Sequence, residues 1–210
     1  MLHRRTALLS LLASFAPVVG FAQTPARSPQ DLADIARVEA YLNGLKSLKA
    51  KFVQLAPDGG ISEGTTWLQR PGRMRFQYDP PAPFLLVASH GLLVFNDTSL
   101  RQTSNIPLSR TPLGILLAEQ VRLSGDVSVT SLQRLPGQLH VSLVRTAAPG
   151  DGVLTLIFAD RPLALRQWTV LDAQRQETRV TLLEAEFGGT FDQKLFEQLF
   201  NEQLNQGGGG

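Results

Sequence analysis

Two periods of hydrophobic spacing divide the chain. Leu32, Ile35, Val38, Leu42 and Leu45 recur every three or four residues, with Asp34, Arg37 and Glu39 between them, which predicts an amphipathic helix. Ser28-Pro29-Gln30-Asp31 marks its start: an N-cap serine, a proline at N1 and an acid at N3, as in a capping box. After Leu48 the period drops to two. Residues 52–55, 63–69, 73–78, 84–88 and 92–95 read as strands, separated by Pro57-Asp58-Gly59-Gly60, Pro71-Gly72 and Ser89-His90-Gly91, the last a hairpin signal. A second set lies at 127–132, 139–145, 153–159, 164–171 and 177–186, broken by turns rich in glycine and aspartate. The pattern predicts an α+β fold built on one antiparallel meander of about ten strands.

Two helical stretches interrupt the strands. Thr111-Pro112 caps a short apolar helix over 113–118, flanked by an irregular stretch at 103–110. Asp192 opens a C-terminal helix carrying Leu195, Phe196, Leu199 and Phe200, and 205–210 reads as a flexible tail. A sheet this large curls instead of staying flat. Its concave face then needs a cover, and the first and middle helices present the apolar faces for it.

The N-terminus adds a compartment. Arg4 and Arg5 precede an apolar run over 7–21, and Gly20-Phe21-Ala22 supplies small residues before a cut after Ala22. This is a secretory signal over 1–22, leading to the periplasm. The run is shorter than the roughly 20 residues of a membrane span. Arg4-Arg5 also fits the twin-arginine route, although Thr6-Ala7 comes next and no cofactor signature lies downstream; an ordinary charged n-region is the simpler reading. Removing 1–22 takes two of the 20 basic residues and none of the 18 acids, so the net charge falls to about zero. The pI of 9.3 then owes much to the leader, and the electrostatic case for a nucleic-acid partner is gone. The mature chain reads as a single domain over 23–204. It has no cysteine for a lipid anchor or a disulfide, so its 43% hydrophobic residues carry the stability.

Candidate chemistry is sparse. His3 leaves with the leader, His90 sits in a hairpin turn and His140 in a strand, and none has a His or Cys at metal-ligand spacing. No Gly-x-Ser-x-Gly elbow and no phosphate-binding loop appears. Ser104, Asp97 and His90 could be imagined as a hydrolytic trio, but any chain of this size supplies one by chance. The reading is a cofactor-free, metal-free protein that is not an enzyme.

The informative stretch runs from Gly64 to Pro81. A strand ends at Arg70-Pro71-Gly72, and the next alternates Met74, Phe76 and Tyr78 against Arg73, Arg75 and Gln77 before Asp79-Pro80-Pro81. Together with Phe52-x-Gln54, the strand–glycine–strand pattern from Val87 to Asn96-Asp97, and Thr111-Pro112 upstream of Leu116-Leu117, this resembles the LolA family, periplasmic carriers of outer-membrane lipoproteins. The resemblance implies an unclosed β-barrel with a helical lid over an apolar cavity. It also implies acylated lipoproteins as cargo, taken from an inner-membrane ABC transporter and passed to an outer-membrane receptor by a monomeric carrier. The family's functional arginine falls on Arg70, which would donate hydrogen bonds to lid carbonyls until acyl chains displace the lid. A solvated strand end is the other reading of that residue.

Period-two logic puts Leu68 on the side of Arg70 and Trp67 on the opposite face. Met74, Phe76, Tyr78 and Leu86 are then expected on the cavity wall, with Leu113, Leu116 and Leu117 from the lid, or else as ordinary core. Arg73 and Arg75 are expected on a solvated face, with docking as the alternative. The chain departs from the family at His90-Gly91, at Phe95 where a tryptophan is usual, and at its end, where a polar, glycine-rich tail replaces a proline step and a last strand. A paralogue that carries another amphiphile, or senses lipoproteins, is the alternative function; a periplasmic hydrolase is the remote one.

Overall fold

The computed structural model describes residues 27–197 and 199; the leader, the tail and Phe200 lie outside them. The Ser28 hydroxyl accepts from Asp31 N–H and the Asp31 carboxylate accepts from Ser28 N–H, a reciprocal cap for α1 (Pro29–Gly44). Eleven strands come after it: β1 (Ser47–Leu55), β2 (Ile61–Gln69), β3 (Arg73–Tyr78), β4 (Phe84–Ser89), β5 (Leu92–Asp97) and β6 (Gln102–Pro107), then β7 (Val127–Leu135), β8 (Gln138–Arg145), β9 (Gly152–Ala159), β10 (Ala164–Asp172) and β11 (Glu177–Phe187). The short helix α2 (Leu113–Leu116) lies between β6 and β7.

All eleven form one antiparallel sheet in the order β6-β5-β4-β3-β2-β1-β11-β10-β9-β8-β7. Pairing of β1 with β11 joins the two halves. The edges, β6 and β7, are consecutive in the chain yet do not pair, so the barrel stays open along that seam. No described helix is long and apolar enough to cross a membrane.

Two expectations about the elements need correction. The stretch expected to be irregular at 103–110 contains β6, an exposed strand. Its polar run has no alternation to betray it, and its backbone is ordered by pairing Ser104 with Phe95 and Ile106 with Leu93. The middle helix stops at Leu116 instead of reaching 118. The expected C-terminal helix opens with a 3-10 turn over Gln193–Phe196, capped by the Asp192 carboxylate accepting from Lys194 N–H at 2.9 Å; Leu199 is helical, and Phe200 lies outside the described residues.

The inner face holds the core. In register, Leu48, Ala50 and Phe52 of β1 oppose Leu68, Thr66 and Gly64 of β2, which oppose Met74, Phe76 and Tyr78 of β3. Val38 and Leu42 of α1, Leu116 and Leu117 at the end of α2, and Leu154, Leu156 and Phe158 of β9 complete one buried cluster. A second cluster lies outside, where Phe196 and Leu199 cover Val87 and Val94 beside Trp67. Trp67 thus faces away from Leu68, as the alternation requires. The Arg73/Arg75 face is not the expected solvated one: Arg75 is 5% exposed and donates to Leu195 O at 3.0 Å beneath this clamp, and Arg73 is half-buried.

Candidate functional site

Beyond Gln69, β2 runs into Arg70, whose guanidinium turns inward with 7% exposure. Its Nε donates to Ala118 O at 2.8 Å and its Nη2 to Ala118 O at 2.6 Å and Glu119 O at 3.2 Å. Its Nη1 donates to Leu45 O at 3.3 Å and to Leu42 O. One planar fork therefore ties the end of α1 to the segment after α2. The last turn of α1 has no basic residue of its own, and the carbonyls there carry the negative end of the helix dipole. Arg70 supplies the missing cation from a distant strand. Burial pulls its pKa below the ordinary guanidinium value, the mark of its desolvation, and the group stays charged.

Residues 108–123 form the lid. After α2 this segment has no strand beside it, so α1 serves in place of one. Asn43 donates to Val121 O and accepts from Val121 N–H, both at 2.9 Å, and the Glu39 carboxylate accepts from Leu123 N–H at 2.8 Å. Gly72 N–H adds a bond to Leu117 O at 2.8 Å. The other end of α1 is held by Arg134, which donates to Asp31 and Asp34 at 2.7 Å each, and by an Arg37–Asp160 pair.

Under the lid lies a cavity of about 220 Å³. Phe76, Tyr78 and Leu86 line one side, Leu113 of α2 the roof, and Trp168, Val170 and Val180 the other side. Edge-on aromatic contacts link Phe52 to Phe76 at 4.7 Å, Phe76 to Trp168 at 6.1 Å and Tyr78 to Phe84 at 5.6 Å, a geometry that aromatic quadrupoles favour. The cavity meets a groove of about 530 Å³ at Leu113, Val170 and Thr178. That groove opens between Ile106 of β6 and Asp172–Gln176 of the β10–β11 turn.

Of the residues expected at this site, Phe76, Tyr78, Leu86 and Leu113 meet at the cavity wall. Leu68, Met74, Leu116 and Leu117 are each 1% exposed or less and fill the closed core between sheet and lid instead. Gln54, Phe95, Trp168, Val170, Thr178 and Val180 also line the cavity, beyond what the sequence pattern singled out. Trp168 and Val170 share one phase of β10, and Thr178 and Val180 one phase of β11, so the alternation held the signal. Which phase faced inward was decided by the pairing of Trp168 with Val180 and of Val180 with Gln54.

Tyr78 O–H donates to Gln54 Oε1 at 2.8 Å. Burial pushes the phenol up to about 12, opposed in part by that bond. Because the folded value exceeds the unfolded one of about 10, the neutral phenol contributes stability fully below pH ~10, and this is lost as pH rises toward 12. Urea melts across that window should show falling stability with a slope that Tyr78→Phe reduces; an unchanged slope would place Tyr78 in water.

Among the described residues, no three His, Cys, Asp or Glu side chains gather where a metal could sit. His140 lies beside Gln138 at 2.8 Å. His90 and Asp97 flank opposite ends of β5, roughly 20 Å apart at 3.3 Å per residue, and Asp97 is engaged by Ser99 at 2.6 Å. The trio with Ser104 is not assembled.

Comparison with known proteins bears on this architecture. The outer-membrane lipoprotein carrier protein of Methylococcus capsulatus is 28% identical over 187 residues, 85% of this chain and 86% of that one. The carrier of the same name from Pseudomonas syringae pv. syringae is 31% identical over 121 residues, 55% of this chain and 56% of that one. A solved LolA superfamily protein from Nitrosomonas europaea covers 79% of this chain and 98% of its own, with 7% identity and a TM-score of 0.43. The family profile described as outer membrane lipoprotein carrier protein LolA matches residues 43–198. A match that runs from the last turn of α1 to the outer clamp covers well over half of the sequence and makes this chain a member of the LolA family.

Proposed function

We propose that this protein is a non-catalytic carrier that takes the acyl chains of lipoproteins into the cavity beneath the lid and moves them through the periplasm to the outer membrane. The observation that carries the reading is a mainly apolar cavity beside a lid that is latched to one buried arginine through backbone carbonyls. Such a latch can open without exposing a packed strand interface. At about 220 Å³ the cavity is smaller than the roughly 300–1,000 Å³ of ordinary ligand pockets, so acyl chains need more room than it offers, and movement of the lid would supply it. The magnitudes permit it. Burying a dozen methylenes yields on the order of 10 kcal/mol at about 0.8 each, of the same order as about 3–9 kcal/mol for two or three charge-assisted bonds from Arg70 plus about 2–6 kcal/mol for the four lid bonds to Gly72, Asn43 and Glu39.

The leader read at 1–22 supports export. Relatives named as outer-membrane lipoprotein carriers support the cargo class. An inner-membrane lipoprotein-releasing ABC transporter as donor and an outer-membrane receptor as acceptor belong to the same proposal. Mass spectrometry of organic extracts from the native protein tests it: acylated lipopeptide is expected. Leu86 lines the cavity while half-buried, so Leu86→Glu places a charge among the chains where water can still reach it. That variant should melt near the wild type yet come out empty. A free lipid or glycolipid in the extract would move the protein to another amphiphile, and turnover of an ester would make it a hydrolase.

A further inference from the structure

The cavity is not apolar throughout. Gln54, Tyr78 and Thr178 lie together on its wall, and register puts them at one end of the barrel. Gln54 pairs with Ser62 near the start of β2, and Gly64 pairs with Tyr78 at the end of β3. Val180, in phase with Thr178, pairs with Gln54. Arg70 lies past the far end of β2, so about seven residues, or roughly 23 Å, separate this polar end from the latch. Thr178 also sits where the cavity meets the outer groove.

The hydrogen bonding of this group leaves a donor over. With Gln54 Oε1 accepting from Tyr78 O–H, the Gln54 amide N–H groups have no partner among the described residues and lie on the cavity wall. Turning the amide over would use one of its hydrogens on Tyr78 and leave the phenol hydrogen instead. Either way a neutral donor faces the mainly apolar wall of the cavity and is open to an acceptor that a bound molecule brings. No Lys or Arg lines the cavity, so an anionic head group would find no counter-ion.

We propose that Gln54, Tyr78 and Thr178 form a head-group site that recognises the neutral ester and amide carbonyls joining acyl chains to their carrier, in preference to a charged head. The proposal rests on the acyl-carrier reading above and adds an orientation to it. The head group sits at the mouth, and the chains point toward the lid latch. One leaflet's share of a bilayer core, about 15 Å of the roughly 30 Å total, fits within the separation of the two ends.

The test uses the full mature protein and two synthetic probes. One is a tripalmitoyl-cysteinyl hexapeptide, and the other is its counterpart with ether links in place of the two ester carbonyls and the amide kept, so that both carry the same charge. Competition against a bound hydrophobic fluorophore gives the ratio of the two affinities. Wild type should prefer the ester-bearing probe by about tenfold, the value of one or two neutral hydrogen bonds. Gln54→Glu, whose carboxylate can accept from Tyr78 O–H but offers no hydrogen of its own, should bring the ratio close to one, and so should Gln54→Met combined with Tyr78→Phe; the second variant covers the case in which the first does not fold. Equal binding of both probes by wild type overturns the head-group site and leaves the carrier reading standing. A wild-type preference that survives both variants assigns the donor elsewhere and also overturns it. Failure of wild type to bind either probe removes the carrier reading and the site together.

Discussion

Replacing Arg70 with leucine is expected to yield a protein that loads lipoprotein normally but releases it to outer-membrane vesicles at least about tenfold more slowly. In the empty protein the guanidinium favours the closed lid through bonds to Ala118 and Glu119 on one side and Leu42 and Leu45 on the other. Leucine removes every donor while keeping an apolar side chain. The closed, empty state then loses its advantage over the open, loaded one. Each charge-assisted bond is worth about 1.5–3 kcal/mol, so loss of even one shifts the balance by roughly tenfold or more. Stability of the empty form should fall as well, by about 2–4 kcal/mol, because buried carbonyls lose their partner. Lysine should rescue poorly, since one ammonium cannot span both sets of carbonyls as a planar fork does. The measurement is transfer of radiolabelled lipoprotein from purified carrier, set against uptake by the same preparation. Wild-type rates in both steps for Arg70→Leu would remove Arg70 from gating and leave it a structural clamp.

Gly64→Ala is expected to be strongly destabilising. A Cβ at Gly64 would lie 2.1 Å from Gln77 O, 2.8 Å from the Phe52 ring and 2.9 Å from Tyr78 Cα. Two of those neighbours are β3 backbone and cannot swing away, because Thr65 and Gln77 are paired in the ladder. The absent side chain is what lets the Phe52 and Tyr78 rings meet over β2 at 5.2 Å. The expected loss is about 3 kcal/mol or more, roughly 6–12 °C in melting temperature for a domain of this size. Gly72→Ala is the comparison. Its Cβ would meet nothing within 4 Å, and its cost comes only from φ +70, about 1 kcal/mol. Similar melting temperatures for the two variants would show that β2 and β3 can separate at Gly64, contrary to the contacts described.

Much of this protein was legible in one dimension, and for local reasons. The helix start at Ser28 and the change of period after Leu48 depend on neighbours in the chain, and both appear where the residues put them. The same alternation separated Trp67 from Leu68 and set Phe76 and Tyr78 on the inner face. Arg70 could be singled out only through the family resemblance, because a lone arginine after a strand carries no signal of its own.

What local pattern could not decide was set by pairing and cover. β6 has no alternation, and it is a strand because β5 offers it a ladder. Arg75 alternates as a solvent-facing residue should, yet it is buried, because the segment that carries Phe191, Leu195 and Phe196 folds back over its face. Met74 and Phe76 have the same phase and similar character. Met74 lies in closed core and Phe76 at a cavity wall because the lid closes down on one end of the barrel and stops short of the other. The sequence by itself determined the elements and the face each side chain takes. Only the tertiary structure decided which of those faces meet each other and which meet empty space, since that depends on how far the sheet curls and where a lid held by Arg70, Asn43 and Glu39 comes to rest.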